Sequence, residues 1–289
     1  MLDRQRGILF MVAAAVGFAV MNSLAKLLAN HGVPSTEIAF ARSAVGVPML
    51  LLIVRAKGLP FTVRNQRAMW LRALAGSAGL ICTFHALSTL PLSEATALQN
   101  TTPLFVALLG FIFLGEKVRT RVVAMLIAGF VGVVLILRPQ SGDFANGTIA
   151  VLAGAFSAVA MVSLRKLGAT ETPEIVVLWF AIAAACFTFV LSAKTLMMPA
   201  PIDLLWMVVM GAVGTVSQIW MTRAYALDIA ARVGGGAYVN VVVCAIIGAV
   251  FFAEPLAWVS AIGIAVILLA GFVIALDAQS ASASTRSRL

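Results

Sequence analysis

Charge is what this chain has least of. Only 11% of its 289 residues are Asp, Glu, Lys or Arg, against about a quarter in a soluble globular domain. Acids are scarcer than bases, 11 against 20, and there are just 2 histidines and 2 tyrosines. That composition excludes a water-soluble domain. The three cysteines, Cys82, Cys186 and Cys244, stand far apart. They have no metal-ligand spacing and no disulfide framework, and read as small apolar filler. Alternating segments of strand length are absent too, which argues against a β-barrel.

What remains is apolar. Hydrophobic residues make up 62% of the chain and the mean hydropathy is +1.06. Runs of about 20 apolar residues, the length of a membrane-crossing helix, recur over nearly the whole length. They place spans at 7–29, 35–54, 69–90, 93–114, 120–138, 146–167, 174–195, 203–226, 233–252 and 256–276. The breaks hold turn formers: Gly32-Val33-Pro34-Ser35, Lys57-Gly58-Leu59-Pro60, Leu90-Pro91-Leu92-Ser93, Pro139-Gln140-Ser141-Gly142, Glu171-Thr172-Pro173 and Pro199-Ala200-Pro201. Ile8–Leu28 is too long for the apolar region of a signal peptide and lacks a small-residue cleavage site. No room is left for a soluble domain. The tail 277–289, rich in Ser, Ala and Arg, reads as disordered and cytoplasmic.

Lys and Arg set the orientation. With the N-terminus inside, inner segments collect Arg4, Arg6, Arg55, Lys57, Arg64, Arg67, Arg72, Lys117, Arg119, Arg121, Arg165, Lys166, Arg223, Arg232, Arg286 and Arg288. Outer ends keep Lys26, Arg138 and Lys194, and Arg42 lies within a span. Both termini are therefore expected in the cytoplasm. The net charge of +9 is a topology signal. It is spread over short loops rather than gathered on one face, so nucleic acid is not an expected partner.

The spans repeat. Gly7…Ser23-Leu24-Ala25-Lys26 matches Gly147…Ser163-Leu164-Arg165-Lys166 at one constant offset, and Gly110…Gly115-Glu116 matches Gly248…Ala253-Glu254. Residues 1–138 and 146–276 thus read as two copies of a five-span unit. An odd number of crossings inverts the second copy, the architecture of secondary transporters whose site lies between repeats near mid-membrane. Ala124, Ala128 and Gly132 on span five and Gly263, Ile267 and Gly271 on span ten form packing faces.

The stretch Leu92-Ser93-Glu94-Ala95…Asn100-Thr101-Thr102-Pro103-Leu104…Leu114-Gly115-Glu116-Lys117 resembles the fourth span of the drug/metabolite transporter superfamily, EamA type. Tyr238-Val239-Asn240…Phe252-Ala253-Glu254-Pro255 resembles the matching ninth span. There Ala253 replaces the family's Gly, and Val241 stands where the Pro would be. The resemblance covers the whole chain. It implies an all-α fold of ten transmembrane helices in two inverted five-helix repeats. It also implies export of small metabolites, with amino acids a frequent class.

Polar residues inside a bilayer are costly and point to function. All eleven acids lie at span ends or in loops, which argues against a multidrug exporter with a central carboxylate. Arg42 sits two turns into span two, roughly 10 Å from its outer end at 1.5 Å per residue. It reads as a carboxylate donor, a gate charge paired with Glu94, or a snorkelling side chain. Asn22 and Lys26 share one helix face, which lines the outer cavity unless Lys26 reaches the interface. His85 is the other titratable group well inside a span, structural or in contact with solute. Gln99, Asn100, Thr101 and Thr102 form the densest mid-membrane polar cluster, and Pro103 frees the carbonyl of Gln99. This is a solute site or a set of interhelical bonds. Asn100 corresponds to Tyr238, with Asn240 two residues on, and Thr83 corresponds to Gln218. Trp179 and Trp220 stand at the repeat positions of Arg42 and His85, and with Met161 and Phe84 offer an apolar wall or plain core packing. Gly234, Gly235 and Gly236 form a hinge or a helix start. Trp70, Trp206 and Trp258 read as interface anchors.

These features suit a small amphiphilic solute handled by an inner-membrane exporter working by alternating access. Neutral hydrophobic or aromatic amino acids come first. Amides and Arg42 would take the carboxylate, and aromatic faces the ammonium. A nucleobase, sugar derivative or organic anion is the alternative, although an organic anion calls for more than one central cation and only Arg42 is found. A membrane-embedded enzyme lacks a Ser/His/Asp set or a metal cluster, and a channel lacks a ring of charges. The expected partners are the solute and the lipid bilayer, with the chain a monomer or weak homo-oligomer. No cofactor is expected.

Overall fold

The first helix, α1 (Leu2–Asn30), ends where Gly32 turns to φ +87°, and α2 (Ser35–Ala56) ends where Gly58 turns to φ +62°. In both, the next amide reaches back five residues, Val33 to the Leu28 carbonyl and Leu59 to that of Val54, each at 3.1 Å. These are glycine-terminated helix ends that satisfy carbonyls otherwise orphaned in the last turn. Asn65 opens α3 (Gln66–Thr89) by accepting the Ala68 amide at 3.2 Å. The computed structural model describes residues 2–114, 120–137, 144–168, 170–193, 195, 198–227 and 236–286.

The remaining helices are α4 (Leu92–Gln99), α5 (Thr102–Leu114), α6 (Thr120–Leu137), α7 (Phe144–Leu167), α8 (Pro173–Ser192), α9 (Pro201–Leu227), α10 (Val239–Phe251) and α11 (Trp258–Arg286). The described residues form no strand. Among the described residues, six helices are long and apolar enough to cross a membrane: α1, α2, α6, α7, α8 and α9. Val239–Phe251 and Trp258–Ile274 are shorter apolar stretches. The fold is all-α, as the apolar runs predict.

Three elements depart from the sequence pattern. The fourth span is two helices, broken at Asn100 and Thr101. Pro103 has no N–H for the Gln99 carbonyl, and the Thr102 hydroxyl takes that acceptor instead at 3.0 Å. The ninth helix of the pattern begins at 233, whereas α10 begins at Val239 after a turn at Tyr238. Gly234 and Gly235 lie outside the described residues, as do Gly115, Glu116 and Lys117. Finally, α11 runs on to Arg286 through the segment read as disordered. No Gly or Pro follows Gly271 to stop it.

Helices from one half of the chain pack largely against helices of the other. α1 lies against α9 and α10, and α3 against α7 and α8. α2 meets α8 and α9, α4 meets α7 and α10, and α6 meets α11. Lipid is as apolar as Leu, so close approach between helices depends on small residues. At the α6–α11 crossing a Cβ on Gly132 would stand 2.8 Å from the Gly263 carbonyl, and the reverse distance is also 2.8 Å. Gly132 thus faces Gly263 and Ile267, while Gly271 faces the Tyr238 ring instead. Large apolar side chains such as Leu52 (70% exposed), Val190 (72%) and Val250 (69%) cover the perimeter. Trp70 and Trp258 are exposed as anchors should be. Trp206 packs instead against the main core cluster.

Candidate functional site

Polar side chains collect at three levels of the bundle. At one end, where α1 and α3 finish and α4 and α11 begin, the Lys26 ammonium donates to the Leu90 carbonyl at 2.7 Å and pairs with Glu254 at 3.3 Å. The second Glu254 oxygen accepts the Leu92 amide at 2.6 Å. One carboxylate therefore ties α1 to the α3–α4 bend, and Lys26 does not snorkel. Glu254 is aimed by its neighbour: Ala253 holds φ +51°, a left-handed conformation that favours glycine. This is the position at which the family resemblance expects Gly. Nearby, Ser260 donates to Glu94 at 2.5 Å and His31 meets Asp203 at 2.6 Å. Glu94 is thus engaged with α11, and the anticipated Arg42–Glu94 pair is not formed.

At the opposite end, Glu174 at the start of α8 receives Lys57 at 2.8 Å and Arg223 at 2.7 Å. Glu171 accepts the amides of Arg64 at 2.7 Å and Asn65 at 3.2 Å. These bonds join α2, α8, α9 and the α2–α3 loop. An open crevice of about 620 Å³ at this end is lined by Leu9, Phe10, Pro173, Trp220 and Arg223.

Between the ends lies a cluster without acids. Arg42 on α2 is 4% exposed and donates to the Gln218 side chain on α9 at 3.2 Å. Its guanidinium carbon stands 5.3 Å from the centre of the Phe180 ring on α8. Arg72 on α3, also 4% exposed, stands 4.4 Å from the same ring centre. The Nε groups of both arginines, the Gln218 amide nitrogen and the Ser43 hydroxyl are buried without a partner. Among the described residues no carboxylate pairs with either arginine. Two glycines make the space. A Cβ on Gly76 would clash with Arg72 Nη1 and stand 2.8 Å from Phe180, and one on Gly214 would meet Met21 and lie 3.5 Å from Arg42 Nε.

The shared ring keeps the two cationic carbons within about 10 Å of each other. At an effective dielectric of ~20 that separation costs at least about 1.7 kcal/mol of repulsion. Each ring contact returns about 2 kcal/mol when desolvated. Cation–π contact offsets the repulsion without satisfying the guanidinium N–H groups, so the cluster retains unmet donors.

The other expected site residues divide. Asn22 is buried (3% exposed), and its side-chain carbonyl oxygen has no partner. Cys244 is fully buried in the main core cluster. Gln99 is half-buried beside the helix break. Asn100 and Thr101 bond to carbonyls of their own helix, Thr96 at 2.8 Å and Leu98 at 2.6 Å. Both bonds take up carbonyls at the helix break. Asn240 donates to the Ala15 carbonyl at 3.2 Å, an α1–α10 bond. Tyr238 buries its hydroxyl, unpartnered, against Gly271 of α11. His85 bonds Asn146 at 3.2 Å near the Lys26 end. Trp179 donates to the Phe61 carbonyl in the α2–α3 loop at 3.3 Å, which draws it away from the middle. It shares a core cluster with Met161. Gly236 is helical and backs onto Met11.

Arg72 and Phe180 were not anticipated. On sequence grounds Arg72 belongs with the topology charges, because the apolar run of the third span starts at residue 69. The helix begins at Gln66, which places Arg72 nearly two turns in, about as deep as Arg42 in α2. That depth was the available signal. Phe180 carries none, being one phenylalanine among 17.

Comparison with known proteins agrees with this architecture. Residues 5–138 match the model of the EamA-like transporter family. The chain is 30% identical to the pseudopaline exporter CntI of Pseudomonas aeruginosa over 86% of its length and 88% of the relative's. It is 28% identical to a riboflavin transporter of Vibrio cholerae, over 77% and 76% of the two chains. It is 26% identical to mouse solute carrier family 35 member G1, over 87% and 73%. A crystal structure sharing 20% identity superposes with a TM-score of 0.64, covering 93% of this chain and 98% of its own, and shows the same fold. With an all-helical, multi-pass architecture and a relative of this closeness along most of its length, the chain belongs to the EamA-like transporter family of the drug/metabolite transporter superfamily.

Proposed function

We propose that this membrane protein exports small amphiphilic carboxylates from the cytoplasm, across the inner membrane, by alternating access. Neutral hydrophobic and aromatic amino acids are the first class to test. The observation that carries the reading is the buried Arg42–Gln218 pair, which keeps an unmet Nε–H and an unmet amide N–H in the bundle interior. A carboxylate accepts from both kinds of donor, and guanidinium–carboxylate bonds are about twice as strong as neutral ones. Relatives named for export of pseudopaline and transport of riboflavin support a metabolite cargo.

Residues 1–138 and 146–276 act in this reading as inverted repeats. The packing of α1 on α9, mirrored by α3 on α7, and of α2 on α8 supports it. So does the grouping of Lys57, Arg64 and Arg223 at one end, which we take as cytoplasmic, away from Lys26. Opening one polar closure while the other holds would expose Arg42 to each side in turn.

The test is counterflow in proteoliposomes loaded with unlabelled leucine or phenylalanine. Saturable uptake of the labelled amino acid is the expected result. Uptake no greater than that of empty liposomes, across the amino acids and related carboxylates, would overturn the reading.

A further inference from the structure

Resting on that reading, we infer that the solute carries two anionic groups, one for Arg42 and one for Arg72, so that the Arg42–Phe180–Arg72 cluster is a dicarboxylate site. A single carboxylate satisfies one guanidinium. It leaves the second buried, charged and within about 10 Å, with its Nε–H unmet. The ammonium group of a neutral amino acid would then enter a region that already holds two cations and no described carboxylate. A second carboxylate removes both conflicts.

The donor inventory fits. Each guanidinium offers a planar fork that matches a carboxylate bidentately. Gln218 Nε2 supplies a further unpartnered group beside Arg42. The described acids nearest the ends are occupied: Glu174 by Lys57 and Arg223, Glu254 by Lys26, and Asp203 by His31. They are not poised to neutralise the pair. Phe180 and Met21 give the carbon chain between two carboxylates an apolar surface. Gly76 and Gly214 leave the arginine side chains the space that a Cβ would take. On sequence grounds an organic anion is an alternative that calls for a second central cation. Arg72 is that cation.

The experiment pairs dicarboxylates of increasing length (succinate, glutarate, adipate and glutamate) with monocarboxylates and neutral amino acids of the same length. Each is run as a counterflow competitor with the full chain in proteoliposomes. Each is also run as a thermal stabiliser of the detergent-purified protein. The expected result is at least tenfold tighter competition by the best dicarboxylate than by its monocarboxylate, with a raised Tm only for the former. Arg72→Gln erases the preference, and Arg72→Lys, which keeps the charge but loses the fork, reduces it. Should Arg72→Gln not fold, the wild-type preference and the Arg72→Lys variant decide. Neutral amino acid counterflow without dicarboxylate preference overturns the two-anion site and leaves the export reading standing. Absence of counterflow by every compound overturns both.

Discussion

Lys26 and Glu254, 228 positions apart in the sequence, share an ion pair of 3.3 Å at one end of the bundle. The side chains are 11% and 15% exposed, so neither charge is well solvated. The same carboxylate holds the Leu92 amide, which couples the pair to the bend between α3 and α4.

Replacing Glu254 with Gln should therefore destabilise the protein by about 3 kcal/mol, the usual consequence of stranding one partner of a buried pair. Lys26→Met combined with Glu254→Gln should recover part of that loss. Thermal unfolding in detergent of the two single variants and the double variant measures the coupling. Additive effects would show that the contact contributes nothing.

Ala253 gives the opposite sign. A non-glycine residue in the left-handed region costs roughly 1–2 kcal/mol. Ala253→Gly should raise stability by about 1 kcal/mol, with Lys26 and Glu254 still paired. A lowered Tm would mean that the φ of +51° is not the origin of strain here.

Gln218→Glu places an acid against Arg42. The new ion pair should stabilise the fold by about 1–3 kcal/mol while occupying the donor that a solute carboxylate needs. Counterflow should fall at least tenfold while Tm rises. A fall in both quantities would point to a structural role for Gln218.

Gly76→Ala pushes a methyl group toward Phe180 and Arg72. Overpacking of this kind costs about 1–3 kcal/mol, and the ring must shift. Apparent affinity for carboxylates should drop, and Phe180→Leu, which relieves the clash but removes both cation–π contacts, should not restore the lost stability. Chemical denaturation and counterflow on the two variants check this.

Tyr238→Phe removes a buried hydroxyl that has no partner. Stability should stay the same or rise by about 1 kcal/mol, and transport should be unaffected. Lost counterflow in this variant would return Tyr238 to the solute path.

Much of the fold is legible because the bilayer demands it. The lengths of the apolar runs, and breaks such as Gly32-Val33-Pro34 and Glu171-Thr172-Pro173, follow from local rules that one sequence displays. The site is harder, because polar residues look alike until their partners are known. Arg42 stands out by depth, and Gln218 by its repeat position. Thr101 looks like a ligand and instead repairs a helix break, since a hydroxyl can bond to its own preceding turn. Trp179 looks like a cavity wall until the Phe61 carbonyl, 118 residues away in sequence, captures its indole. Arg72 was obscured by three residues at a helix start.

The acid-free arginine cluster also bears on what drives transport. A carrier returns to its starting state with its own charges, so the net charge moved per cycle belongs to the solute. For each negative charge leaving a cell that is electrically negative inside, a membrane potential of 100 mV contributes about 2.3 kcal/mol. A solute with two such charges gains about 4.6 kcal/mol, enough to hold a concentration ratio on the order of a thousandfold. Polyanion efflux through this cluster would be driven by voltage alone, and would require no proton-binding carboxylate in the middle of the membrane.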